Sequence, residues 1–200
     1  MLLLLAAGPA FAAAPFSHRV HLKIGLKCVT CHSAAVTSTR VEDNLLPDPK
    51  GCETCHKTAE VPPRPPVTRL AQFSHAQHLR MGNAARMIAA AIDAKTYLSP
   101  PDDIRRHLNG DNPCEACHRG LEESDRVTRD ALPQMADCLV CHSRIDMPDS
   151  CEKCHAKGAS LKPANHTADF LDTHTSGKLG LDKTTCAVCH GRKFTCLGCH

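Results

Sequence analysis

Cys28-Val-Thr-Cys31-His32 is the stretch whose reading decides how this chain is built, because its pattern returns six more times. The others are Cys52-Glu-Thr-Cys55-His56, Cys114-Glu-Ala-Cys117-His118, Cys138-Leu-Val-Cys141-His142, Cys151-Glu-Lys-Cys154-His155, Cys186-Ala-Val-Cys189-His190 and Cys196-Leu-Gly-Cys199-His200. Together the seven motifs use all 14 cysteines. Cysteines at i and i+3 project from one side of a helical turn, so both sulfurs reach the two vinyl-derived carbons of one porphyrin. The histidine that follows is carried beneath the iron as proximal ligand. This is the attachment signature of c-type haem. Zinc ribbons need no histidine after each second cysteine, iron–sulfur clusters would leave the histidines idle, and a disulfide scaffold has no use for the three-residue period. The expectation is seven covalently bound haem c groups with His32, His56, His118, His142, His155, His190 and His200 as proximal ligands.

The remaining histidines are His18, His21, His75, His78, His107, His166 and His174, so seven spare imidazoles face seven motifs. Neutral imidazole is a good iron ligand, and the matched count makes these seven the candidate distal ligands. The recurrence of Phe16-Ser-His18-x-x-His21-Leu22 as Phe73-Ser-His75-x-x-His78-Leu79 strengthens the reading. Met81, Met87, Met135 and Met147 are the rival ligands, but flexible gap-filling around bulky groups accounts for them better.

Those paired Phe-x-His-x-x-His stretches upstream of Cys-x-x-Cys-His motifs resemble the class III multihaem cytochromes c, the low-potential type, over nearly all of residues 16–200. The resemblance implies that the first histidine of each pair serves the first haem of its module and the second reaches a different haem. His18 would then serve the Cys28/Cys31 haem and His75 the Cys114/Cys117 haem, with His21 and His78 turned to others.

Composition agrees with a fold built around cofactors. The chain of 200 residues has no Trp, one Tyr and five Phe, so it is poor in the side chains that usually dominate core energetics. Strand signals are nearly absent. Residues 83–98 have helical spacing through Ile88, Ala91, Ile92, Lys95 and Leu98. Ser99-Pro100-Pro101 ends that helix and starts a short one over Asp102–Leu108, which Asn109-Gly110 stops with His107 in its last turn. The expected fold is mostly α and irregular, haem-organised, with short helices, long loops and little or no β-sheet.

Balancing spare histidines against the motifs that follow divides the chain into a dihaem module at 16–56, a trihaem module at 73–155 and a dihaem module at 166–200. Val61-Pro-Pro-Arg-Pro-Pro66 marks the first boundary as extended polyproline; Lys157–Pro163 reads as a short linker. Ahead of them, residues 1–14 form a short apolar run ending in small residues, read as an export signal peptide and too short to span a bilayer. The mature chain is expected to have no transmembrane segment and to work in the periplasm or outside the cell.

The formal charge is +3, with basic and acidic residues interspersed, which gives no footprint for nucleic acid. Each ferric haem with two ionised propionates adds about −1, so seven bring the oxidised protein to about −4 and full reduction to about −11. The chemistry points to electron transfer through a chain of bis-histidine haems, with the Cys28/Cys31 and Cys196/Cys199 haems as the two ends. No catalytic residue is expected. A multihaem reductase would need an open iron site, which the ligand count does not leave. An electron-transfer subunit of a larger membrane-associated complex shares the chemistry and differs in partner. The partners expected are a quinol-linked membrane complex, other cytochromes or a porin–cytochrome assembly.

Overall fold

The structure, a computed structural model, describes residues 16–59, 61, 63, 70–101, 103–142, 151–174 and 183–190. The expected leader, most of the 61–66 polyproline segment, Met147 and the last motif with Cys196, Cys199 and His200 lie outside these residues. Among the described residues the chain is short helices and loops with no strand, and one isolated antiparallel bridge joins Leu70 to His155.

Every helix is brief, and the first has a near copy further on. Helix α1 is His18–Lys23, α2 is Cys28–Cys31, α3 is Pro49–Cys52 and α4 is His75–Arg80. The Ser17 hydroxyl caps α1 by accepting from the Val20 N–H, and Ser74 caps α4 by accepting from Gln77. Each helix is followed, after a single C-cap residue, by a glycine in the left-handed region, Gly25 with φ 90° and Gly82 with φ 92°, a conformation that costs glycine nothing. Six-residue helices do not hold in isolation, so these rest on what their side chains touch.

Helix α5, Ala85–Asp93, is shorter than its hydrophobic spacing suggests. Lys95 adopts φ 54° and the Thr96 and Tyr97 N–H groups both turn back onto the Ala91 carbonyl, at 2.7 and 3.0 Å. Lys95 and Leu98 therefore lie beyond the helix, and the reversal drives Tyr97 inward. The second element is a 3-10 helix, Ile104–Asn109, with His107 in its last turn and Ile104 and Leu108 buried. Helices α6 (Met135–Cys141), α7 (Phe170–Thr173) and α8 (Lys183–His190) complete the set.

A small core forms from Ala85, Ile88, Ala89, Tyr97, Ile104, Leu108, Ala116 and Ala136. Half of these are alanine, and among the described residues no large side chain is wholly buried. A buried polar cluster sits against this core. Arg119 donates to both Asp137 carboxylate oxygens at 3.1 and 2.7 Å and to the Ala116 carbonyl at 2.7 Å. The Tyr97 hydroxyl donates to Asp137 at 2.8 Å. Burial, then the Asp137 charge, pushes that hydroxyl's pKa well above its ordinary value. Asp137 also accepts from the Gln134 N–H in the capping box of α6, the helix that carries Cys138 and Cys141.

Residues 16–56 and 73–142 interlock. Ser17 donates to Asp125, Arg19 pairs with the same carboxylate, and the Arg19 N–H donates to the Ser124 carbonyl at 3.2 Å. In return the Ala76 N–H at the start of α4 donates to the Ser38 carbonyl at 2.9 Å.

Candidate haem-binding sites

Five of the motifs close in the same way. The histidine N–H donates to the carbonyl of the first cysteine, from His32 to Cys28 at 2.8 Å, His56 to Cys52 at 2.9 Å, His118 to Cys114 at 2.8 Å, His142 to Cys138 at 2.9 Å and His155 to Cys151 at 2.9 Å. One turn of this kind puts two sulfurs and an imidazole on one face. No disulfide joins the described cysteines, so their sulfurs remain available for thioethers. Caps start the turns: Asp48 accepts from the Lys50 N–H at 3.0 Å and Asn112 from the Cys114 N–H at 3.1 Å.

Opposite the motif histidines stand spare ones. Ring centroids are 6.2 Å apart for His18 and His32, 6.0 Å for His21 and His56, 6.4 Å for His75 and His118, 6.3 Å for His78 and His142, and 6.3 Å for His166 and His190. Three of these pairs are near parallel, at 10°, 11° and 4°. A metal bound by two imidazoles at about 2 Å each, with each ring centre about 1 Å behind its nitrogen, separates the centroids by about 6 Å. The residues present therefore fit an iron between each pair.

The ring nitrogens are oriented for this. His21 Nδ1–H donates to the Ser17 carbonyl at 2.7 Å, His78 to Ser74 at 2.8 Å, His174 to Phe170 at 2.9 Å, His32 to Leu45 at 2.7 Å and His118 to Ala131 at 3.1 Å. A carbonyl only accepts, so Nδ1 carries the proton and Nε2 keeps its lone pair for a metal. Burial, then the facing His32, holds His18 below the ordinary histidine pKa; burial, then His118, does the same for His75, and burial lowers His118. All three are neutral imidazoles at pH 7, the form that ligates.

The module that starts at residue 16 is repeated in geometry from residue 73. Phe16 meets His18 edge-on at 4.9 Å and 85° and stacks on His21 at 4.5 Å and 18°; Phe73 meets His75 at 4.7 Å and 83° and stacks on His78 at 4.5 Å and 20°. A third phenylalanine, Phe170, stacks between His166 and His174, at 4.7 and 5.2 Å. Phe16 and Phe73 were legible as part of a repeated string, but their place against two histidine rings was not, and Phe170 was not singled out. The string gives no distance.

His107 differs from the other spare histidines. Its Nδ1 lies 3.2 Å from a Glu122 carboxylate oxygen, and its ring lines a cavity of about 310 Å³ with Arg119, Gly120, Ala131 and Gln134. Among the described residues no histidine ring faces it.

Residues 14–65 match the family model described as cytochrome c7 and related cytochrome c. Neither the curated proteins nor the solved structures give a match. The matched stretch holds α1, the first two motifs and the first two facing histidine pairs, and the arrangement recurs from residue 73. Over that stretch the chain is similar to the multihaem cytochromes c, and the likeness supports reading it as one of them.

Proposed function

We propose that this cytochrome carries seven haem c groups, one on each Cys-x-x-Cys-His motif, and conducts electrons through bis-histidine sites outside the cytoplasm. What supports the reading above all is the set of five facing imidazole pairs separated by 6.0–6.4 Å. His18, His21, His75, His78 and His166 are the distal ligands for the haems on Cys28/Cys31, Cys52/Cys55, Cys114/Cys117, Cys138/Cys141 and Cys186/Cys189. His107 and His174 are assigned to the two remaining sites, on Cys151/Cys154 and Cys196/Cys199; both rings make their hydrogen-bond contact through Nδ1.

Bound haem supplies one-electron iron chemistry, ferric to ferrous, as a reduced donor such as a quinol-linked complex or another cytochrome is oxidised by one electron. The chain's part is to hold two neutral imidazoles at fixed separation, so that the ligand set does not change with oxidation state. With histidine rather than methionine on the distal side, the potentials are low. Export by the 1–14 leader and division into modules at 16–56, 73–155 and 166–200 complete the reading. Among the described residues no helix is long and apolar enough to cross a membrane.

Two measurements test it. The oxidised protein should be entirely low-spin with no methionine–iron charge-transfer band, and His75→Ala should convert about one haem in seven to high-spin. A native high-spin fraction of that size would instead support an open, reductase-like iron. The second test concerns docking. With the holoprotein at about −4, a small cationic donor should reduce it faster than an anionic one at low salt, and the gap should close as salt screens the charges. An anionic donor that is faster at low salt would contradict the charge sum.

A further inference from the structure

The order of the sites along the chain is not their order in space. Asn112, whose side chain caps the Cys114 turn, also donates to Cys28 Sγ at 3.4 Å. One side chain thus touches the first motif and the third. The second motif reaches this pair of sites through α1: its distal histidine His21 sits three residues from His18, and Phe16 touches both rings. His75 and His78 on α4, bridged by Phe73, repeat that relation between the third and fourth motifs. From there the Ala71 N–H donates to the Cys154 carbonyl at 2.8 Å, which sets the fifth motif beside the α4 segment. Helix α6, with the fourth motif, packs against α8, with the sixth.

Resting on the bis-histidine reading above, we infer that the haem sites succeed one another as Cys52/Cys55, Cys28/Cys31, Cys114/Cys117 and Cys138/Cys141, with the first two reversed relative to the sequence and the Cys151/Cys154 and Cys186/Cys189 sites beyond them. The Cys28/Cys31 site is then interior, and the array ends at Cys52/Cys55, where Cys55 and His56 are exposed. The end expected from sequence order alone, Cys28/Cys31, moves by one site. Asn112 becomes the residue at the junction of the two modules.

The test marks haems in the holoprotein in pairs. His18→Met with His75→Met marks the Cys28/Cys31 and Cys114/Cys117 sites; His21→Met with His75→Met marks Cys52/Cys55 and Cys114/Cys117. Potentiometric titration then reads how far reduction of one marked haem lowers the midpoint of the other. Charge repulsion falls at least as fast as inverse distance, so the adjacent pair should show a shift at least about twofold larger than the pair separated by an intervening site. The inference requires the larger shift in the His18/His75 pair. An equal or larger shift in the His21/His75 pair would overturn it while leaving the ligand assignment intact. Single His18→Ala, His21→Ala or His75→Ala variants that stay wholly low-spin would remove the ligand assignment, and the order with it. Should methionine not be accepted, His18→Ala, His21→Ala and His75→Ala give high-spin marks for the same titration.

Discussion

Protein made without haem attachment is expected to show no cooperative thermal transition and to be digested rapidly by protease. The core explains why. Of its eight buried residues, Ala85, Ala89, Ala116 and Ala136 contribute little area, leaving Ile88, Tyr97, Ile104 and Leu108 as the substantial side chains. Burying a large apolar side chain stabilises by about 1.5–3 kcal/mol, whereas ordering each residue costs about 1–2 kcal/mol in backbone entropy. Four such side chains cannot order a chain of this length. Several apolar side chains near the histidine pairs are substantially exposed, among them Phe16, Val20 and Val29 at 48%, 53% and 45%. Their burial has to come from the macrocycles. Circular dichroism and limited proteolysis of the haem-free chain check the expectation, and a cooperative melt in that material would refute it.

Asp137→Ala is expected to destabilise the holoprotein by about 3–5 kcal/mol, the usual cost of leaving a buried partner charge unpaired. The side chains of Arg119 and Asp137 are 4% and 2% exposed, so solvent cannot stand in for the lost carboxylate. The substitution would also orphan the Tyr97 hydroxyl and remove the capping box of α6. Tyr97→Phe, which removes one hydroxyl from that cluster, should cost only about 1 kcal/mol. Denaturant titration followed by circular dichroism compares the two. The spectrum of the Cys138/Cys141 haem should respond to Asp137→Ala because α6 carries its attachment turn. A loss below about 1 kcal/mol in Asp137→Ala would mean that Arg119 finds another acceptor.

Much of the chemistry was legible in residue order because it depends on local spacing. Two cysteines three apart and a histidine one further share a turn whatever surrounds them, and the described motifs with a recorded closing bond adopt that turn. The paired histidines after Phe16 and Phe73 were likewise legible as repeats, because the string Phe-Ser-His-x-x-His-Leu itself recurs. Composition alone also foretold the irregular, strand-poor fold. Helix α5 shows where local signals stop: its apolar spacing runs on to Leu98, but the left-handed Lys95 ends it so that Tyr97 can reach Asp137. Which motif histidine faces which spare one, why Phe170 lies between His166 and His174, and why His107 turns to Glu122 are contacts between distant segments, and spacing carries no such information. The sequence by itself determined the number and spacing of the Cys-x-x-Cys-His motifs, since each needs only a local turn. Tertiary structure alone decided which stretches lie together, because α1 bonds to Ser124 and α4 to Ser38, contacts between segments far apart in the chain.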